Sequence, residues 1–160
     1  VLGHGDFSAV RVVVTRRKDR RKCEAKVVKR SELPDSGFAS LRREVMLFQG
    51  LRHPNIVRLL DWYKEDVSHL YTVFELCEGG DLLDFVGSKT TYNEKEPRDV
   101  VLKLLETVKY MHDKGIAHRD LQPKNLLLVN RDTVDFKIAG FGRATKSDTP
   151  DVLCPRQCGS

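Results

Sequence analysis

The residues of this chain whose types and spacing could do chemistry centre on the run His118-Arg119-Asp120-Leu121-Gln122-Pro123-Lys124-Asn125. An Asp five residues before an Asn in one loop can accept a proton from a hydroxyl while the amide oxygen of the Asn holds Mg²⁺. Gly140-Phe141-Gly142 follows fifteen residues after Asn125. Far upstream, Lys26 stands in a stretch of strand character, and Glu44 comes eighteen residues later in a helical pattern. A strand Lys held by a helix Glu can bind phosphate oxygens, the carboxylate fixing the ammonium. By itself the pair reads as a surface salt bridge. Near the start, Leu2-Gly3-His4-Gly5-Asp6-Phe7-Ser8-Ala9-Val10 sets two glycines two apart between strand formers, which lets the backbone approach a polyphosphate closely. Alone it is a glycine-rich hairpin turn; the order of all these groups in one chain is what makes them specific.

Groups so far apart in sequence need a scaffold to position them. The first third reads as short strands followed by a helix whose apolar residues Phe38, Leu41, Val45 and Phe48 recur at spacings of three and four, with Gly50 as its C-cap. Two further strands are predicted around Val57-Arg58-Leu59-Leu60 and Leu70-Tyr71-Thr72-Val73-Phe74, before Glu78-Gly79-Gly80-Asp81 breaks the pattern. A helix is predicted over 93–112, with Asn93 as N-cap, Glu96 as its capping-box partner, and Val101, Leu104, Leu105, Val108 and Met111 on one face. Then come a polar loop over 117–125 and short strands at 126–129 and 136–138. The stretch 145–160 has no periodicity and reads as loop. The fold class is therefore α+β, a β-rich layer followed by a mainly helical one. The glycine-marked joint at Gly79-Gly80 between them is a natural place for a cleft.

Composition excludes several function classes. The 160 residues are 40% hydrophobic and 32% charged with 11 Gly and 6 Pro, which argues against disorder and low complexity. The longest apolar blocks, such as Leu126-Leu127-Leu128-Val129, fall far short of the ~18 residues a membrane span needs. The net charge of +5 invites nucleic-acid binding, and Arg16-Arg17-Lys18-Asp19-Arg20-Arg21-Lys22 is a basic run. It lies between two β-rich stretches and reads as a solvated hairpin turn; no interleaved aromatics accompany it, so neither a nucleic acid nor a membrane is an expected partner. The four cysteines, Cys23, Cys77, Cys154 and Cys158, do not complete a zinc site and read as free thiols of a reducing cytoplasm. The chain opens without an initiator Met or a signal segment, which suggests a start inside a longer protein.

The octapeptide, the preceding Lys and Glu, and the glycine-rich loop together resemble the eukaryotic protein kinase family. Phe7-Ser8, His53-Pro54-Asn55-Ile56-Val57 and Cys158-Gly159-Ser160 look most like its calcium/calmodulin-dependent Ser/Thr group. The resemblance implies a two-lobe fold, with 1–77 as a β-rich small lobe and 78–160 as the start of a large lobe left incomplete inside the activation segment. It implies ATP and Mg²⁺ as cofactors and a protein as substrate or partner. Leu2, Gly3, Gly5 and Val10 would cover the nucleotide. Lys26 would bind the α/β-phosphates, with Glu44 pairing it. Glu75 and Cys77 would offer hinge backbone to adenine behind Phe74, Asp81 would lie near the ribose, and Leu127 would floor the adenine site. Asp120 would be the catalytic base and Asn125 a metal ligand. His118, Phe141, Phe48 and Leu59 would stack as an apolar column.

Four positions depart from that family's pattern. Gly140 stands where the resemblance places a metal-binding Asp, and Gln122 where it places a Lys on the transferring phosphate. Glu24 replaces a small residue over the adenine ring, so a carboxylate there must lose water or turn aside. Lys124 stands where basophilic members carry Glu, so no preference for basic substrates transfers. Three readings follow: a Ser/Thr kinase domain impaired by Gly140, a pseudokinase acting as a binding or scaffolding module, or a truncated product that folds poorly because an apolar face on the 93–112 helix is uncovered. Thr145, Ser147 and Thr149 are polar loop residues that a kinase could phosphorylate, with Arg119 as a receiver.

Overall fold

The computed structural model describes residues 3–5, 8–14, 22–32, 35–65, 69–88 and 95–147. The chain divides into two compact units, Val1–Gly50 with Arg58–Leu76, and Leu51–Val57 with Cys77–Ser160.

The first unit is a five-stranded antiparallel sheet with one long helix. Its strands are β1 (Gly3–Gly5), β2 (Ser8–Val14), β3 (Lys22–Lys29), β4 (Leu59–Glu65) and β5 (His69–Glu75), in the order β1-β2-β3-β5-β4. β2 is rich in β-branched valines, which fit a pleated surface. The basic run between β2 and β3 lies outside the described residues except for Lys22. In β5, Leu70, Thr72 and Phe74 alternate inward with period two. Helix α1 (Asp35–Gly50) buries Leu41, Val45 and Phe48, the spacing the sequence predicts. Leu41 packs with Val28 and Leu70, and Phe48 meets Phe74 edge-on at 4.9 Å.

β4 starts at Leu59, two residues later than the apolar run Val57–Leu60 suggests. Ile56 bridges Ile138, and the Val57 N–H donates to the Ile138 carbonyl at 3.0 Å, so these two apolar residues belong to the second unit. The strand then runs on to Glu65 through a register irregularity between Leu59 and Asp61.

The second unit holds α2 (Leu82–Ser88), α3 (Lys95–Asp113) and two small antiparallel pairs, β6 (Ile116–Ala117) with β9 (Thr145–Lys146), and β7 (Leu126–Leu128) with β8 (Phe136–Ile138). Met111, Leu128, Phe136 and Ile138 are fully buried in its core. The segment 51–57 is tied down by the Asn55 side-chain amide donating to the Phe136 carbonyl (2.8 Å), by Lys137 Nζ on the Pro54 carbonyl (2.8 Å), and by His53 against the Tyr110 ring.

Three elements differ from the sequence expectation. α2 was not predicted; its start is capped by Asp81, whose Oδ1 accepts the Asp84 N–H at 2.9 Å. β9 lies in a stretch read as loop, because a two-residue strand carries no periodicity. The buried face of α3 is Val100, Thr107 and Met111, while Val101 and Leu105 are 51% and 60% exposed. Thr107 takes a core position because its hydroxyl donates to the Lys103 carbonyl at 2.6 Å, which removes the cost of burying it. The Asn93 cap lies outside the described residues.

Candidate active site

The first unit supplies the phosphate-binding candidates. β3 is central, so Lys26 sits between Val10 on β2 and Thr72 on β5 in register. Lys26 Nζ lies 4.0 Å from Glu44 Oε2 of α1, with the Lys side chain 33% exposed and the Glu 14%. The hairpin of β1 and β2 pairs Gly3 with Val10 and Gly5 with Ser8. Leu2 lies outside the described residues. Glu24 precedes Lys26 by two on the same strand and therefore on the same face. Burial pushes its carboxyl pKa up, against a smaller downward pull from Lys26. Glu75 closes β5; its N–H donates to the Arg58 carbonyl (3.0 Å) and its Oε1 accepts the Arg58 N–H (2.8 Å).

The second unit carries the candidate base. His118 is 2% exposed, packed edge-on to Phe141 at 4.6 Å. Its Nδ1 accepts the Asp120 N–H at 3.3 Å, so Nε2 holds the hydrogen and donates to the Ala139 carbonyl at 2.9 Å. Burial lowers the His118 pKa, with smaller opposing pulls from the Ala139 carbonyl and Asp120, which keeps the ring neutral in that tautomer. Arg119 adopts φ 66°, a left-handed conformation unusual for a side-chain-bearing residue, and it turns the chain between the buried His and Asp120.

Asp120 is ringed by donors. Its Oδ1 accepts from Gln122 Nε2 at 3.1 Å and pairs with Arg143 Nη1 at 3.4 Å, and its Oδ2 accepts from Asn125 Nδ2 at 3.1 Å. Asn125 Nδ2 also donates to the Asp120 carbonyl at 2.7 Å. The Asp120–Asn125 spacing read from the sequence therefore closes into one hydrogen-bonded unit. Gly140 stands beside it at φ 77°. A Cβ at position 140 would be 2.5 Å from Asn125 Oδ1, so the Asn side chain uses room that a side chain at 140 would need.

The remaining candidates fall into place by backbone. Leu127 on β7 bridges Asp81, and the Leu128 N–H donates to the Gly80 carbonyl at 2.8 Å. Gly79 allows this approach, since a Cβ there would lie 2.5 Å from the Leu128 Cβ. One Asp81 oxygen is committed to capping α2. Cys77 is half-buried and in no disulfide. Lys26 and Glu44 are thus joined in the first unit, while Asp120, Asn125, Asp81 and Leu127 are organised in the second.

Comparison with known proteins gives this arrangement a family. The family model described as protein kinase domain matches residues 1–159. The chain is 39% identical over 166 residues to calcium/calmodulin-dependent protein kinase type 1 of Macrobrachium nipponense, covering 97% of this chain and 47% of that protein. It is 38% identical over 165 residues to calcium/calmodulin-dependent protein kinase type II of Caenorhabditis elegans, covering 96% of this chain and 23% of the relative. Serine/threonine-protein kinase RAD53 of Saccharomyces cerevisiae is 37% identical over 144 residues, covering 90% and 17%. The chain belongs to the protein kinase family. It spans about half or less of the length of these relatives.

Within a kinase domain the donor set does not by itself fit a magnesium site. Mg²⁺ is usually held by one or two carboxylates together with substrate phosphates. Here position 140 has no side chain, the oxygens of Asp120 receive donors from Gln122, Arg143 and Asn125, and Asn125 offers one amide oxygen. Among the described residues no cluster of three His, Cys, Asp or Glu could hold a metal ion. Arg143, brought to within 3.4 Å of Asp120, is a residue that sequence reasoning passed over. Its signal was a cation directly after Gly140-Phe141-Gly142, three residues past Gly140.

Proposed function

We propose that this chain is part of an ATP-dependent Ser/Thr protein kinase whose phosphoryl transfer is slowed by Gly140. The observation that carries this reading is the Asp120–Asn125 unit, in which the base is oriented by the 2.7 Å and 3.1 Å bonds from Asn125 Nδ2. Lys26 with Glu44 supplies a cation for phosphate, and Asp120 accepts the proton of a protein hydroxyl. The substrate class follows the Ser/Thr kinases the chain is similar to. Family members use ATP with Mg²⁺; without a carboxylate at 140, the nucleotide is expected to bind with little dependence on the metal.

A second reading, a pseudokinase that binds partners, is favoured by two observations. The half-buried Glu24 carboxyl disfavours a polyanion beside Lys26, and the Asn125 side chain stands against Gly140. Thermal unfolding with and without ATP, in Mg²⁺ and again in EDTA, separates the two. A transition raised by ATP, by about 2.7 kcal/mol at 100 times Kd, supports the kinase reading. A cooperative transition that ATP leaves unmoved supports the binding module.

A further inference from the structure

We propose that Arg143 supplies the phosphate-binding cation at Asp120, in place of the one Gln122 does not provide. The inference rests on the kinase reading. Arg143 ends the 3₁₀ turn Phe141–Arg143, which follows directly on Gly140. Its Nη1 lies 3.4 Å from Asp120 Oδ1, the same oxygen that accepts from Gln122 Nε2 at 3.1 Å. One neutral and one cationic donor therefore converge on a single carboxylate oxygen. The Asp120 side chain is 15% exposed and that of Arg143 55%, so the guanidinium reaches from a sheltered base to open solvent, from which a ligand arrives.

The chemistry at Asp120 calls for such a group. A transferring phosphoryl spreads negative charge over three oxygens. An amide answers that with a dipole, whereas a guanidinium brings full charge and a planar fork matched to phosphate oxygens. The position of Arg143 is set by packing as well as by charge. Phe141, two residues before it, is 1% exposed against His118, and the Ala144 N–H closes the turn on the Phe141 carbonyl at 3.0 Å. The packing that orients Asp120 through His118 thus also delivers Arg143.

In the step itself, the protein hydroxyl oxygen bonds to the γ-phosphorus and its proton passes to Asp120. The bond from that phosphorus to the bridging oxygen breaks, and ADP leaves with the electron pair. Arg143 donates to the phosphoryl oxygens and acquires no new bond.

The test is the ratio of ATP to ADP affinity, read from thermal-shift titrations of the whole chain with each nucleotide. R143A is expected to weaken ATP by about 10-fold or more, the range of a charge-assisted hydrogen bond, with ADP unchanged. R143Q, which keeps a donor for Asp120 without the charge, is expected to lose the same margin, and it carries the test if R143A does not fold. Q122K placed in either background is expected to restore the preference for ATP. K146A, which removes an exposed cation on β9, leaves both affinities unchanged. An unaltered ratio in R143A and R143Q, an equal loss for both nucleotides, or no rescue by Q122K overturns the proposal. A wild-type chain that ATP does not shift overturns the kinase reading, and this inference with it.

Discussion

The two units hold their candidate residues on opposite plans. In the first unit, Lys26 and Glu44 meet at 4.0 Å across a strand and a helix, and the Lys side chain is a third exposed. Such a pair gains little in water, on the order of 1 kcal/mol or less, and can exchange its partner for a phosphate at small cost. In the second unit, Asp120 is fixed by Gln122, Asn125 and Arg143, behind a His118–Phe141 contact that excludes solvent. There three donors converge on one carboxylate, so altering one disturbs the bonds of the others. The loose half suits a group that must take up a ligand. The tight half suits a base that must not move, and Gly140 stands against its Asn125.

The contrast breaks hardest at Phe141. Truncating a ring that is 1% exposed and packed on His118 is expected to cost about 3–5 kcal/mol, as for other buried Phe→Ala changes. Chemical denaturation of F141A against wild type measures it. A loss below about 1 kcal/mol would show that the second unit does not depend on this contact.

Gly140→Asp sharpens the comparison at somewhat lower cost. The substitution meets two separate obstacles, a backbone at φ 77° and the Asn125 side chain 2.5 Å from the new Cβ. The left-handed backbone alone costs about 1–2 kcal/mol for a side-chain-bearing residue. The steric part is removed if Asn125 is trimmed, so G140D is expected to be less destabilising in an N125A background than in wild type. A double-mutant cycle on unfolding free energies gives the coupling, which for residues in contact is about 0.5–3 kcal/mol. Zero coupling would mean that Asn125 swings aside freely and that a metal-binding pair can be rebuilt by one substitution.

Much of this was legible before any coordinates. The α1 face, the strand at β5, and the placing of Asp120 and Asn125 in one loop follow from spacing, because each is set by a local period or a single loop. Where reading failed, the deciding force was not local. Val57 looks like a strand residue, yet its N–H is taken by Ile138, eighty-one positions on. Val101 and Leu105 look like core, yet Thr107 is buried in their stead because a backbone carbonyl satisfies its hydroxyl. Gly140 was legible as a departure from the family pattern, but not as a position against which the Asn125 side chain stands. Arg143 was passed over because charge in a loop ordinarily means solvent, and only the fold brings it to Asp120.

The smallest expected effect separates the halves by the sign of their pH dependence. In the first unit, burial raises the Glu24 pKa above 4.5, so the folded state binds the proton more tightly than the unfolded chain does. That contribution is present in full below pH 4.5 and is lost as pH climbs through the folded value. In the second unit, burial lowers the pKa of His118 and of His53 below 6.5, so the unfolded chain binds protons more tightly. Their contribution is present above pH 6.5 and is lost as pH falls through the folded values. Each displaced unit is worth about 1.4 kcal/mol, so these slopes are modest beside the losses at Phe141 and Gly140. Unfolding midpoints between about pH 4 and about pH 8 are expected to fall on both flanks. E24Q should flatten the alkaline flank and leave the acid flank as in wild type. An alkaline flank that E24Q does not change would place the Glu24 carboxylate in water, where it neither loses hydration nor competes with phosphate for Lys26.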